Sequence, residues 1–181
     1  MISKTLNVAS QWTKGLDIEA ADRFDLGPGT MAVRIIANYQ PHMQTRSIPS
    51  QPATEIAGIA GGNEGVSSGK WRGNLNVAYQ VGPLQASTAI RWQSKMYFSD
   101  PDRYVDLRGT IPSYTYVDVA ASYNLDGIAP GLTLYGSIKN LFDKKPPITG
   151  QNAGFPGAII PVPGGFDVMG RYFTIGLRGQ W

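Results

Sequence analysis

The chain has 181 residues, enough for one ordinary domain, but its 22 Gly and 13 Pro, with nine Tyr and four Trp, favour many short strands and turns over a helical core. A formal charge of +3 is carried by 16 Lys and Arg that stand singly, which excludes the clustered basic face of a nucleic-acid binder. The lack of Cys excludes disulfides and thiolate metal sites, and apolar runs no longer than stretches such as Ile35–Ala37 exclude a transmembrane helix, which needs roughly 18 residues.

Seven segments alternate apolar and polar residues over about the 9 to 11 positions that a tilted membrane strand requires. The first, Thr13 to Phe24, sets Leu16, Ile18, Ala20 and Phe24 against Asp17, Glu19, Ala21 and Arg23. In the second, Thr30 to Gln40, Met31, Val33, Ile35, Ala37 and Tyr39 oppose Ala32, Arg34, Ile36, Asn38 and Gln40. The third, Trp71 to Gln80, is the most regular: Trp71, Leu75, Val77 and Tyr79 face one way, Arg72, Asn74, Asn76 and Gln80 the other. The fourth places Leu84, Ala86, Thr88, Ile90 and Trp92 opposite Gln85, Ser87, Ala89, Arg91 and Gln93. The fifth runs from Thr115 to Tyr123 with Asp118 on its polar side, the sixth from Leu132 to Lys139. The last alternates Phe173, Ile175, Leu177 and Trp181 with Tyr172, Thr174, Arg178 and Gln180.

Alternation alone suits any antiparallel sheet with one wet face, so the connections decide. They alternate short and long: Asp25 to Gly29, Pro41 to Lys70, Val81 to Pro83, Ser99 to Ser113, Asp126 to Gly131, Lys144 to Gly165. Short periplasmic turns and long extracellular loops define an outer-membrane β-barrel. The fold class is therefore all-β, an antiparallel transmembrane β-barrel segment in an outer membrane. Trp71, Tyr79, Trp92 and Tyr123, with Phe24 and Trp181, fall near the ends of apolar faces, where aromatic girdles meet the lipid interface. Asp17, Glu19, Arg23, Arg34, Arg72, Arg91, Asp118, Lys139 and Arg178 take the lumen parity, and Asp22 is the one strand charge assigned to the lipid side.

A single-chain bacterial barrel has an even number of strands and no free edge, so seven strands form only part of one. An eighth strand from Lys4 to Val8 gives the alternative, a small closed barrel with a structural or adhesive role. The start, Met1 to Asn7, has no apolar signal segment, which predicts either a longer precursor or a chain that never leaves the cytoplasm.

The run Asn140-Leu141-Phe142-Asp143-Lys144-Lys145-Pro146-Pro147, followed by Asp167-Val168-Met169-Gly170-Arg171-Tyr172-Phe173 and a terminal aromatic, resembles the carboxy-terminal end of TonB-dependent receptors. Trp12 to Ala20 and Ile111 to Asp118 resemble strand openings in the same family. The resemblance implies a barrel of about 22 strands with a plugged lumen, of which residues 1–181 would be the last third, without the plug domain. It further implies energy-coupled uptake of a scarce nutrient (a siderophore, cobalamin or oligosaccharide). The implied partners are outer-membrane lipid, the plug and remaining strands, TonB through the missing amino-terminal part, and the barrel-assembly machinery. No cofactor and no enzymatic activity are implied.

For the sites, Arg34, Arg72 and Arg91 on the lumen parity suit an anionic substrate path, or pair with Asp17, Glu19 and Asp118. Phe173, Ile175, Leu177 and Trp181 suit an assembly signal read by strand addition, or a plain lipid-facing strand. His42, the lone histidine, reads as an ordinary strand-end residue with no metal or triad partners. The glycine-rich stretch Gly58 to Gly65 lacks the Lys-Ser/Thr of a phosphate loop and reads as an extracellular loop. Gly150 to Gly165 is a second such loop, suited to ligand contact. Asp17 and Glu19 share a face, but no partner or cleft marks them as an acid–base pair.

Overall fold

The computed structural model describes residues 10–60, 68–102, 109–149, 160–161 and 166–179. Seven long strands carry the fold: β1 (Ser10–Leu26), β2 (Gly29–Arg46), β3 (Trp71–Val81), β4 (Leu84–Gln93), β5 (Tyr114–Asn124), β6 (Leu132–Lys139) and β7 (Tyr172–Gly179). Each pairs antiparallel with the next, so spatial order follows chain order. Among the described residues there is no helix, and β1 and β7 each have one long neighbour, so the sheet is open. The Lys4 to Val8 segment and Trp181 lie outside the described residues.

Register converts the alternation into two continuous faces. Across the sheet run the rows Ala21–Arg34–Asn76–Ala89–Asp118 and Glu19–Ile36–Asn74–Arg91–Tyr116. Between them lies the row Ala20–Ile35–Leu75–Ile90–Val117, facing the other way. On the far side, Phe173, Ile175 and Leu177 meet Ile138, Gly136 and Leu134 on that same apolar face. A one-residue slip anywhere would exchange the faces, so the apolar pattern specifies the register throughout.

The turns between β1 and β2 and between β3 and β4 are both Gly-Pro, with Gly27 at φ 59° and Gly82 at φ 51°. A left-handed first residue followed by a proline, whose φ is fixed negative, is the sign pattern of a type II′ hairpin turn, whose twist matches the strands it joins.

Alternation predicts that the second strand stops at Gln40, but β2 continues to Arg46. The cause is a β-bulge: Lys14 faces His42 while Leu16 faces Tyr39, so Gln40 and Pro41 together oppose Gly15. Gly15 fits because a Cβ there would lie 2.7 Å from the Tyr39 carbonyl oxygen, and a bulge is where a strand tolerates proline. Beyond it the faces of β2 exchange, so His42 and Gln44 join Lys14 and Trp12. Lys14 has the parity of Leu16 and Ile18 on β1 and so stands on the apolar side with Asp22, which is not the sole strand charge there.

The long connections also contain short strands that alternation does not reveal. Thr54–Glu55 pairs with β2, Met96–Tyr97 with Thr110–Ile111, and Ile148–Thr149 with Ile160–Pro161. Two of the connections are tied together: Ala60 donates to the Tyr97 carbonyl and Tyr97 to the Gly58 carbonyl, both at 2.8 Å. A small core of Ala60, Met96, Phe98, Ile111, Tyr114, Tyr116 and Phe166 lies beneath them. Tyr114 and Tyr116 share the face of Arg91 and Gln93, so the loops pack against the polar side of the wall.

The face assignment has a direct test at adjacent positions of β4. Ile90→Arg puts a charge among Leu75 and Val117 and is expected to cost about 2–4 kcal/mol in a membrane. Ala89→Arg, directly across from Asp118, is expected to cost little. Heat-modifiable migration of the inserted protein measures both.

Candidate functional site

The polar face gathers the charges into short chains of contacts. Arg34 donates to the Glu19 carboxylate at 2.8 Å, both side chains being more than half exposed. Arg72 donates to the side-chain Oδ1 of Asn38 at 2.9 Å, and the Asn38 side-chain NH2 donates in turn to the Asp17 carboxylate. Arg91 lies 3.3 Å from the Asp118 carboxylate and stacks over the Tyr116 ring, 5.2 Å from its centroid. All three arginines singled out from the sequence therefore share one face, and each holds a polar or acidic neighbour of the same wall.

Asp118 is the buried centre of this face. Its side chain is 9 % exposed, with Arg91 at 3.3 Å and Lys139 at 3.4 Å, while the Asn140 N–H donates to it at 2.8 Å. That third contact has a structural cause. β5 and β6 pair in register at Val119 and Ile138, yet the Leu141 N–H reaches the Val117 carbonyl, so the chain has gained a residue. Asn140, at φ 50° and 1 % exposed, is the residue whose N–H is left without a backbone acceptor, and the Asp118 carboxylate supplies one. The Asn140 side chain then closes a turn, donating to the Lys144 carbonyl at 3.0 Å and accepting from the Lys144 N–H at 2.9 Å. Burying Asn140 is tolerable because each of these polar groups is paired.

The apolar face carries two aromatic rows. At the long-loop end Tyr39 stacks on Trp71 with centroids 4.3 Å apart, and Trp92 lies over Gly73. At the short-turn end Tyr79 donates to the Leu26 carbonyl at 2.9 Å, and Tyr123 is 44 % exposed. Trp71 and Tyr79 are separated by eight positions, which at 3.3 Å per residue is about 26 Å of strand, close to the length of a tilted membrane strand.

His42 holds a carboxylate that sequence spacing did not reveal. Its Nδ1 lies 3.1 Å from Glu55, whose other oxygen accepts from the N–H groups of Met43 at 2.7 Å and Ala57 at 3.0 Å. Burial pushes the Glu55 carboxyl up, but the two N–H donors and His42 outweigh it and hold the group below its usual range. Only the bulge at Gly15 brings His42 to this side. Among the described residues no three His, Cys, Asp or Glu side chains gather to hold a metal ion. Residues 61–65 of the glycine-rich stretch, and 150–159 and 162–165 of the second loop, lie outside the described residues.

An open antiparallel sheet with one polar face, one apolar face banded by aromatics, and connections alternating between tight turns and long loops is a section of a transmembrane β-barrel wall. The family model described as TonB dependent receptor-like, beta-barrel matches residues 3–141, which takes in β1 to β6. The chain belongs to that family. No curated protein matches it.

Two outcomes follow. Asp118→Ala leaves Arg91, Lys139 and the Asn140 N–H without their acceptor, and a loss of about 1–3 kcal/mol is expected in urea unfolding, discounted because both cations are part exposed. Glu55 is held below its ordinary value, so its stabilisation is present above that value and is lost as pH falls through the lowered one. The protection of the Met43 and Ala57 amides against hydrogen exchange, referred to the intrinsic rate at each pH, is expected to fall in acid below the usual carboxylate range, and Glu55→Gln to flatten that dependence.

Proposed function

We propose that this chain forms part of the wall and extracellular mouth of a TonB-dependent outer-membrane receptor, which takes up a scarce nutrient with energy delivered through TonB. Family membership supports the receptor class, since the family is one of outer-membrane transport proteins. The single observation that carries the reading is the two-faced seven-strand sheet, whose charged face has no use in a lipid-embedded solid but suits an aqueous lumen. Lipid contacts the apolar face; the plug and the remaining strands complete the barrel; the barrel-assembly machinery reads Phe173, Ile175, Leu177 and Trp181.

Arg34, Arg72 and Arg91 line the lumen side of this wall. Their contacts with Glu19, Asn38 and Asp118 support a wall-stabilising role, with an anionic substrate path as the additional use of the same guanidinium groups. The protein binds and transports rather than catalysing a reaction.

The test is growth of a strain lacking the gene on a panel of limiting nutrients (ferric siderophores, cobalamin, oligosaccharides), with and without a working TonB. Loss of growth on one nutrient, reproduced by loss of TonB, is the expected result. Unchanged growth on every nutrient, with a weakened envelope, would replace transport by a structural role. In the complete receptor, Arg72→Gln with unaltered uptake would remove Arg72 from the substrate path.

A further inference from the structure

The last strand pairs only with β6 among the described residues, so its register depends on few contacts. A slip by two residues keeps every face correct, because period-two alternation cannot detect it. Tyr172, Thr174, Gly176 and Arg178 would remain on the polar side and Phe173, Ile175 and Leu177 on the apolar side. Something other than patterning must exclude that slip.

Two features of the β6–β7 hairpin do so. In mid-strand the Tyr135 ring lies over Gly176, in the space that any Cβ would need. At the long-loop end, Asn140 turns away at φ 50° and leaves no strand residue to pair with Arg171, the residue before β7. The Asp143 carboxylate takes that place. Its Oδ1 accepts the Arg171 N–H at 2.9 Å and a hydrogen bond from Lys145 at 3.1 Å. Asp143 is itself held at φ 50°, with its N–H on the Asn140 carbonyl at 2.8 Å.

Gly170 completes the fit. It stands at φ 76°, and a Cβ there would lie 2.9 Å from Asp143 Oδ1, so neither its conformation nor its surroundings suit another residue. Asn140, Asp143, Gly170 and Arg171 thus form one clasp across the feet of the long connection, and through the Asn140 N–H it is anchored to Asp118 on β5. The contacts of this clasp run from β5 through the turn after β6 to the start of β7.

We propose that this clasp is a register lock for the final strand: by capturing the Arg171 N–H, the Asp143 carboxylate fixes the position at which β7 begins to pair with β6. The acceptor oxygen is what matters. Asparagine at 143 retains it, whereas alanine removes it.

The sequence has no Cys, so introduced pairs report register cleanly. Ile138→Cys with Phe173→Cys reads the native register, since these residues face each other, and Ile138→Cys with Ile175→Cys reads the two-residue slip. Disulfide formation between the paired cysteines, with copper–phenanthroline and oxygen as the oxidant that takes the two electrons, is performed on pulse-labelled full-length chains inserted in the outer membrane, which scores register among inserted molecules rather than yield. Asp143→Ala and Gly170→Ala are each expected to lower the native-to-slipped ratio at least about tenfold, as fits loss of a hydrogen bond to a charged acceptor. Asp143→Asn is expected to keep the native ratio. If both Asp143→Ala and Gly170→Ala leave the ratio within about twofold of the parent, or if Asp143→Asn slips as far as alanine, the lock is overturned. Uptake is not read in this experiment, so its outcome stands apart from that of the transport reading.

Discussion

Backbone N–H and C=O groups inside hydrocarbon have no water to bond, and each one left unpaired costs several kcal/mol. Cross-strand ladders meet that demand in this sheet, with unbroken pairing from Thr30–Gln80 to Tyr39–Trp71 and from Arg72–Gln93 to Val81–Leu84. Once the ladder is fixed, side chains can only alternate, and the division into an apolar and a charged face follows from the backbone requirement. Leu75, Ile90 and Val117 go one way and Asn76, Ala89 and Asp118 the other because the strands have no other way to stand.

Where the ladder ends, carboxylates take over from carbonyls. Glu55 accepts the N–H groups of Met43 and Ala57, Asp118 accepts that of Asn140, and Asp143 accepts that of Arg171. The N–H groups they accept all lie towards the long-loop ends of their strands or just beyond them. Two of the turns at the opposite end need less, since a Gly-Pro pair returns the chain within two residues, and in the third the Asp126 carboxylate accepts the Gly131 N–H at 2.7 Å. The long connections pack on Tyr114 and Tyr116 over the polar side of the wall, with the Asp167 N–H donating to the Tyr116 hydroxyl at 3.1 Å. The mouth of the barrel is thus built from the same strand ends that satisfy the backbone.

The seven strands, their faces and the alternation of loop lengths were legible because a period of two repeated over ten residues is a strong signal. The bulge was not, since Gly15 reads as an ordinary position inside the first strand and Pro41 as the start of a connection, not as partners across a ladder. With it went the outward placement of His42 and the approach of Glu55. Two-residue strands such as Met96–Tyr97 are too short to show a period, so the loop core around Met96, Ile111 and Phe166 had no sequence signature. The Asn140–Asp143 and Gly170–Arg171 elements stood out only as family-like motifs; that they touch each other depends on two left-handed residues and a glycine no propensity locates. Asp118 was read as a partner for arginines, and its capture of the Asn140 N–H follows from an extra residue visible only in the register.

The most direct test of the account is site-directed spin labelling of single cysteines along β4, from Leu84 to Gln93, in the membrane-inserted protein. Accessibility to oxygen, which partitions into lipid, and to a water-soluble nickel chelate is measured at each position. The account predicts opposite oscillations with a period of two, oxygen high at Ala86, Thr88 and Ile90 and nickel high at Ser87, Ala89 and Arg91. Uniform accessibility along the strand, or oscillations in the reverse phase, would contradict the assignment of the apolar face to lipid and the charged face to an aqueous lumen.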